Sequence, residues 1–251
     1  MTKKPLKNNL IFSLLGLFFV FLLWFLLYFI VANSQVLPSP LIVIKQGFLN
    51  FLNAEFYAHL LSTLLRVFIA IIVSYLLGAC LAVLSHLYHN FESVILPFIS
   101  IIRSLPVLAV LLIILIAMPR GVAPIIVCIL SIFPIVYMQT LNYLNSIDSK
   151  QKEVLTIYNV PLKTQIFSVY LKGYAPLFIK EITALFSFSL KLVVSAEILA
   201  NVYKSVGGDI SNASIYSIVE LFSLTLVICL IGITVETVGK LICNNMEKKY
   251  K

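Results

Sequence analysis

Charged side chains that interrupt long apolar runs are the residues of this sequence most able to do chemistry. The runs contain Arg66, Arg103, Glu181, Lys191, Glu197, Glu220 and Glu236. A charge near the centre of a bilayer costs about 2.5–3.5 kcal/mol on insertion scales, so each should pair with another, face a bundle interior or reach an interface. Ion pairing inside the membrane and contact with a polar solute are therefore the chemistry to expect.

Depth along the apolar runs divides these charges into two layers, at about 1.5 Å of rise per residue. One half of the bilayer receives Arg66, Glu197 and Glu220, and the other half receives Arg103, Glu181 and Glu236. We therefore predict an ion pair in each half of the bilayer. Lys191 lies nearest the midplane of its run and has no partner at its own depth. Two interpretations stay open for it: contact with a solute or a water-filled path, and snorkelling toward Glu197 or a backbone carbonyl.

Patterns for catalysis, resident cofactors or metals are absent from the sequence. It has no H-E-x-x-H motif, no G-x-x-x-x-G-K-[ST] phosphate loop and no evident nucleophile and base pair. His86, His89 and Glu92 recur every three residues, but they stand at the end of an apolar run, where polar residues are expected without a metal. The four cysteines stand singly and are interpreted as small buried hydrophobes. We expect no catalytic residue and no metal site.

Composition identifies the class of protein. Hydrophobic residues make up 61% of the 251 positions and charged residues 11%, against roughly 25% charged in soluble domains. The net charge of +8 is spread over several connections, without the compact basic surface that nucleic-acid binding requires. The sequence predicts an integral, all-α membrane protein that meets lipid and binds no nucleic acid.

Six apolar stretches reach the roughly 20 residues needed to cross a bilayer. They cover about 10–32, 60–84, 94–117, 124–144, 176–200 and 215–242. The first is longer than the roughly 7–15 residues of a signal-peptide core, so we interpret it as an uncleaved span. No internal repeat is evident, and we expect a single transmembrane domain over 1–251.

Basic residues orient the six spans. With both termini in the cytoplasm, twelve lysines of the termini, the connections and the inner ends of the spans fall inside, and only Lys45, Arg120 and Lys204 fall outside. This bias is the one expected of cytoplasmic connections. Between the first two spans, Pro38 and Pro40 precede an amphipathic stretch suited to the outer leaflet.

Small residues and prolines predict how the spans pack and bend. The second span carries small residues every four positions: Ala70, Ser74, Gly78 and Ala82. Such a seam lets a neighbouring helix approach closely, and Arg66 continues it. Pro106 and Pro134 fall inside the third and fourth spans, where each removes a backbone hydrogen bond and should kink the helix.

The longest inner connection, 148–172, contains the segment KEVLTIYNVPLKTQIFSVYLK. Apolar residues at helical spacing flank the tripeptide "NVP". Asn159 tolerates the left-handed conformation that ends a helix, Val160 is pushed to an extended shape by the following proline, and Pro161 suits the first turn of a new helix. We predict two short amphipathic helices set at an angle, which either dock a soluble partner or lie on the membrane surface.

This connection resembles the cytoplasmic signature of permease subunits of binding-protein-dependent ABC importers, E-A-A, three residues, G, nine residues, I-x-L-P. Glu153 matches the acid, Asn159 replaces the glycine, and Lys172 replaces the proline. Val154 and Leu155 stand for the two alanines, and the V-Y-L of "VYLK" matches I-x-L. "VLPSP", "IIRSLPVLAVLLIIL", "FPIVYMQT" and "AEILAN" followed by "GGDI" resemble successive segments of the nitrate, sulfonate, taurine and thiamine-precursor branch.

The resemblance implies a type I importer permease in a bacterial cytoplasmic (inner) membrane. Two copies, as a homodimer, would form the pathway; a cytoplasmic ATPase dimer would hold ATP and Mg, leaving this chain without a cofactor; and an extracytoplasmic protein would deliver a small anion or a thiamine-like precursor. Residues implied in ATPase coupling are Glu153, Val154, Leu155, Tyr158, Asn159, Pro161 and Leu162. Residues expected along the pathway or as intramembrane charges are Arg66, Arg103, Pro106, Lys191, Glu197 and Glu220.

Two other classes of protein were weighed against the importer. A secondary transporter or channel would use Lys191 and the buried carboxylates as an ion path, but it would not require a two-helix inner connection. A membrane enzyme would need catalytic residues that the sequence does not offer.

Overall fold

A computed structural model describes residues 6–146, 154, 157–161, 164 and 171–249. The regular elements of this described part are all α-helices. They are α1 (Leu6–Val31), α2 (Pro40–Asn50), α3 (Ala54–Leu87), α4 (His89–Ser104), α5 (Val107–Ala117), α6 (Ala123–Ser146), α7 (Leu171–Ala200), α8 (Val206–Tyr216) and α9 (Ile218–Lys249). The predicted all-α class is confirmed for the residues that the structure describes.

Membrane-spanning length distinguishes four of the described helices. Sufficiently long and apolar segments are Ala54–Leu87, Ala123–Ser146, Leu177–Ala200 and Ile218–Asn244. Taken as one broken span, α4 and α5 would make a fifth. Helix α1 covers the predicted first span, although its described apolar segment, Phe18–Val31, is shorter than the other four. The total of six spans stays a prediction, in which α1 would be added to these five.

The third span is not the single kinked helix that was predicted over 94–117. Two helices replace it, α4 and α5, bent by 93° at Leu105 and Pro106. Both residues have extended backbone, with ψ of 132° at Leu105 and 118° at Pro106. The residue before a proline is driven out of the helical region, so α4 ends at Ser104 and Pro106 caps α5. Pro134, in contrast, lies inside the uninterrupted α6.

The chain divides into two compact units, Met1–Tyr57 with Asp209–Val227, and Ala58–Gly208 with Ile228–Lys251. In the first unit, the rings of Trp24 and Phe222 stack with centroids 6.1 Å apart. Asn50 Nδ2 donates a buried hydrogen bond of 3.1 Å to Ser223 Oγ. These contacts tie α1 and α2 to the first turns of α9.

Helix α2 forms where the sequence predicts an amphipathic stretch after two prolines. Ser39 is its N-cap, and its Oγ accepts the Ile42 N–H at 3.3 Å. Pro40 occupies the first turn, where a missing N–H has no cost. The start of α2 is therefore set by the residues in and next to its first turn.

Helices α3 and α6 approach closely in the second unit. The small-residue seam is buried, and Ala70, Ser74 and Ala82 have no exposed surface. A Cβ on Gly78 would lie 2.8 Å from a carbonyl oxygen and 2.9 Å from a Cβ of α6, closer than side chains allow. The predicted packing seam is confirmed, because only a glycine fits at its narrowest point.

Helix α6 is at the centre of the second unit. One buried cluster joins it to α3 and α4 through Ala82, Ile99, Phe133, Tyr137 and Leu141, and another joins it to α5 and α7 through Leu111, Ala123, Val127 and Ala196. On the opposite side of α7, Ser187 Oγ donates to the Gly232 carbonyl of α9 at 2.8 Å. The unit is thus a bundle in which α7 lies between α6 and α9.

Candidate functional site

An ion pair between α3 and α7 is the most fully buried charged contact of the described residues. Arg66 Nη1 lies 2.7 Å from Glu197 Oε1, with 15% of the Arg66 side chain and none of the Glu197 side chain exposed. The pair expected in one layer of charges is therefore present. Because the Glu197 side chain is fully buried, further hydrogen bonds are needed to offset the free-energy cost of removing the ion pair from water.

Three other hydrogen bonds complete the surroundings of the pair. Glu197 Oε2 accepts from Thr63 Oγ1 at 2.9 Å and from the Gly207 N–H at 3.1 Å. Arg66 Nε donates to the Gly121 carbonyl at 3.1 Å. Each carboxylate oxygen thus has a donor, which is the arrangement that makes a buried charge tolerable.

The first turn of α8 is capped entirely by side chains. The N–H of Val206 donates to Thr63 Oγ1 at 3.1 Å, that of Gly207 to the Glu197 carboxylate, and that of Gly208 to Ser205 Oγ at 2.9 Å. These N–H groups have no partner within their own helix. A carboxylate at this end also interacts favourably with the helix dipole.

The end of α7 is closed by a Schellman motif. Asn201 adopts a left-handed backbone with φ of 47°. Its N–H donates to the Ile198 carbonyl at 3.2 Å, and the Val202 N–H donates to the Glu197 carbonyl at 3.0 Å. Asparagine tolerates this conformation better than other residues with a side chain. We call residues 197–208, with Thr63 and Arg66, the α7–α8 corner.

Close backbone contacts require glycine inside the corner. A Cβ on Gly207 would meet the Glu197 Cβ and would lie 2.8 Å from the Val194 carbonyl oxygen. A Cβ on Gly208 would meet the Val202 carbonyl. The carboxylate reaches the first turn of α8 only because residue 207 has no side chain.

The corner is built to hold a position rather than to react. Both Glu197 oxygens accept hydrogen bonds, from Arg66, Thr63 and the Gly207 N–H. Glu197 and Arg66 together join four segments of the second unit: α3, the loop that carries Gly121, α7 and the first turn of α8. The corner therefore acts as a fixed point of the fold.

The ion pair predicted for Arg103 with Glu181 or Glu236 is not formed among the described residues. Arg103 is exposed in the last turn of α4 and has no hydrogen bond or ion pair to described residues. Glu181 instead accepts from Tyr174 Oη at 2.6 Å, and Glu236 pairs with Lys240 Nζ at 2.7 Å. Because α4 ends before Pro106, Arg103 lies at an exposed helix terminus. Glu181 and Glu236 each have a partner on their own helix instead.

Lys191 and Glu220 have different surroundings. Lys191 is exposed on α7, has no hydrogen bond to a described residue, and lies within electrostatic range of Glu236. It does not bond to Glu197, the partner considered for it, because that carboxylate is fully occupied. Glu220 is half-buried in the first turn of α9, within the first unit.

The predicted coupling connection is described in part. Glu153, Leu155 and Leu162 lie outside the described residues. Asn159 has the predicted left-handed backbone, with φ of 43°. Before it, a helical hydrogen bond of 3.1 Å runs from the Tyr158 N–H to the Val154 carbonyl.

Apolar side chains on this turn are open to solvent. Val154 is 51% exposed, Ile157 69% and Tyr158 76%. Their spacing of three and four residues places them on one face of a helical turn. Pro161, which follows the turn, is exposed as well. We call Val154, Ile157 and Tyr158 the exposed apolar turn.

Candidate metal ligands are not grouped within the described residues, and three residues of the corner were not predicted from the sequence. No group of three His, Cys, Asp or Glu residues that could hold a metal occurs within the described part of the chain. Sequence analysis missed Thr63, Ser205 and Gly207. The Ser-x-x-Gly-Asp pattern at 205–209 is a usable helix-start signal, and Asn201 could have been recognised by the argument applied to Asn159.

Comparison with known families bears on most of the chain. The family model described as binding-protein-dependent transport system inner membrane component matches residues 74–251. This region includes α4 to α9, most of the α7–α8 corner and the whole connection 148–172. No curated protein matches the chain.

Proposed function

The chain belongs to the family of binding-protein-dependent transport system inner membrane components, and from this premise we propose that it is the permease subunit of an ATP-driven importer. In this function, an external binding protein delivers the solute, the spans form its path, and a separate ATPase supplies the energy. The family membership of residues 74–251 is the observation on which the proposal rests.

The exposed apolar turn supports coupling to an ATPase through the connection 148–172. An aromatic side chain that is 76% exposed, as Tyr158 is, has apolar surface to bury against a partner. Aromatic residues seated in pockets are typical anchors of protein interfaces. The left-handed Asn159 ends the turn, so the chain changes direction directly after the exposed apolar face. The absence of a phosphate loop from the sequence fits an ATPase on another chain.

A small anion is the solute class we propose, such as a sulfonate or nitrate, with a thiamine-like precursor as the other member of the branch. Arg103 is an exposed cation without a partner among the described residues, and Lys191 is an exposed cation whose electrostatic neighbour is Glu236. A pathway for anions is a place where such cations are useful. Two copies of the chain, with both termini in the cytoplasm, would enclose the pathway. Selection between anions would rest on the binding protein.

The α7–α8 corner fits this function as a fixed point. A transporter that alternates between two states needs parts that move as rigid bodies. Three hydrogen bonds, from α3 and from the first turn of α8, reach one buried carboxylate of α7 and make the corner such a part. We therefore assign Arg66 and Glu197 to holding helices together rather than to contacting the solute.

Copurification tests the ATPase coupling. The tagged chain would be coexpressed with its cognate ATPase, extracted in mild detergent, and the retained ATPase quantified. Tyr158→Ala should lower retention at least about tenfold, because loss of an aromatic anchor costs about 2 kcal/mol or more. Deleting 153–162, or Glu153→Lys, should abolish retention.

Tyr203→Ala is the matched control, since Tyr203 is a tyrosine 84% exposed that lies outside the connection. It should retain the ATPase as the unaltered chain does. If Tyr158→Ala and the 153–162 deletion both retained as much ATPase as the unaltered chain does, the docking role of the connection would be refuted.

Uptake into proteoliposomes tests the energy source. Vesicles that contain the full complex should accumulate taurine or nitrate only when ATP and Mg are present on the side of the ATPase. Uptake by the chain alone in ATP-free vesicles would instead favour the secondary transporter or channel that uses Lys191 and the carboxylates.

A further inference from the structure

Aromatic rings meet where the coupling connection leaves the helix bundle and returns to it. Tyr143 lies in the last turns of α6, which ends at Ser146, and Tyr174 lies in the first turn of α7, which begins at Leu171. Their ring centroids are 4.7 Å apart. The two ends of the connection are therefore fastened to each other, so that a force on the connection reaches both helices together.

The contact continues from α7 to α3. Phe178 lies one turn beyond Tyr174, with ring centroids 6.0 Å apart, and the Tyr75 ring of α3 packs edge-on against Phe178 at 5.2 Å. Rings at these separations interact favourably beyond the area that they bury. We call Tyr75, Tyr143, Tyr174 and Phe178 the aromatic clasp. It joins α6, α7 and α3 at one level.

One polar contact fixes the ring at the centre of the clasp. Tyr174 Oη donates to Glu181 Oε2 at 2.6 Å, across seven residues of α7. This length is typical of a hydroxyl that donates to a carboxylate, a bond about twice as strong as a neutral one. Burial and this hydrogen bond raise the pKa of Tyr174 above its ordinary value, so the hydroxyl remains a donor at physiological pH.

Tyr75 provides an internal contrast. Its hydroxyl is buried but has no hydrogen bond to any described residue. The Tyr75 ring belongs to the clasp, and its hydroxyl lies within electrostatic range of Tyr174 and Glu181 without making a hydrogen bond. Removal of this hydroxyl therefore removes the same atom as at Tyr174 without removing a bond.

We propose that the hydrogen bond from Tyr174 to Glu181 is the positioning contact through which movement of the 148–172 connection reaches α3. The inference rests on the proposed function, since it takes an ATPase to move the connection. With the bond made, the Tyr174 ring is held against both Tyr143 and Phe178. Without it, the ring can rotate about its side-chain bonds, and displacement of the connection is absorbed at the first turn of α7.

The test follows movement of α3 directly and needs no solute. Cys80 is an exposed cysteine of α3, and Cys229 is exposed on α9, while Cys128 and Cys243 are buried. In a Cys229→Ser background, a nitroxide spin label on Cys80 of the full complex with its ATPase would report the local environment. ATP, Mg and vanadate should change its electron paramagnetic resonance spectrum in the otherwise unaltered chain.

Tyr174→Phe keeps every ring and removes only the donor. We expect it to retain the ATPase fully and to reduce the nucleotide-dependent spectral change at least about tenfold, since the charge-assisted bond that holds the ring is lost. Tyr75→Phe is the matched control and should keep the whole change. Glu181→Gln, which still offers an oxygen acceptor, should keep most of it, and Glu181→Leu should behave as Tyr174→Phe does.

Each other outcome overturns the inference. A full spectral change in Tyr174→Phe would show that the bond transmits nothing, and an equal loss in Tyr75→Phe would show that the hydroxyls act only through packing. If the unaltered chain binds its ATPase but shows no change at Cys80, movement does not reach α3. If it binds no ATPase, the proposed function fails first, and copurification distinguishes that failure from the others.

Discussion

Breaking the ion pair of the α7–α8 corner is the most direct perturbation of the fold, and a double-mutant cycle measures it. Glu197→Met leaves Arg66, whose side chain is only 15% exposed, without its counter-ion, and Arg66→Met leaves a fully buried carboxylate with two donors in place of three. Removing one partner of a buried pair costs about 3–5 kcal/mol. Either single change should therefore remove much of the stability of a typical domain, about 5–15 kcal/mol.

The double variant should be less harmful than the sum of the single changes. With both charges gone, the pair is replaced by apolar side chains that suit a membrane interior. The Gly207 N–H and the Thr63 hydroxyl still lose their acceptor, at 3.1 Å and 2.9 Å, and each unpaired buried donor costs about 1–3 kcal/mol. We thus expect the double variant to cost about 2–6 kcal/mol, below the about 6–10 kcal/mol of the two single costs combined.

Unfolding of the purified chain in mixed detergent micelles, followed by far-ultraviolet circular dichroism, gives the four free energies. The same cycle at Glu236 and Lys240 is the control, because this pair on one helix has 39% and 62% of its side chains exposed. Its coupling should be far smaller than that of Arg66 and Glu197, because solvent screens an exposed pair. Additivity within about 0.5 kcal/mol at Arg66 and Glu197 would refute the corner as an energetically coupled unit.

Three further predictions concern backbone contacts. Gly207→Ala should lower the free energy of unfolding by about 1–3 kcal/mol through overpacking, whereas Gly121→Ala, whose Cβ would lie 3.9 Å from the nearest atom, should change it by less than about 0.5 kcal/mol. Gly78→Ala should also destabilise the chain, since its Cβ would lie 2.8 Å from a carbonyl oxygen of α6. Gly16→Ala, in open space on α1, should instead stabilise the chain by up to about 1 kcal/mol. Thermal denaturation in detergent compares the two variants. Asn159→Gly should retain the ATPase in copurification, while Asn159→Val should retain less, because a left-handed backbone costs such a residue about 1–2 kcal/mol; equal retention would contradict this.

Local chemistry was predictable from sequence in several places. The left-handed Asn159 follows from its own side chain and from the Val-Pro that comes next. The seam around Gly78 follows from small residues every four positions. The end of α4 follows from Pro106, although its effect was underestimated as a kink within one helix. In each case the cause lies within a few residues of the effect.

Pairing between distant segments was predictable only as a set of alternatives. Depth along the spans placed Arg66 beside Glu197, but the same argument paired Arg103 with Glu181 or Glu236, which is wrong. Depth has one dimension, whereas a hydrogen bond needs direction as well. Carboxylates found partners on their own helices because a tyrosine or lysine one or two turns away was already oriented toward them.

What the sequence determined by itself is therefore the all-α membrane class, the apolar segments, and the stops and turns caused by proline, asparagine and small residues, since each depends on neighbours in the chain. Only the tertiary structure decided that Glu197 caps α8, with Thr63 donating to it across 134 positions of sequence, and that the aromatic clasp joins three helices. The reason is geometric: a buried charge must find its donors wherever packing brings them, and that position is a property of the whole bundle.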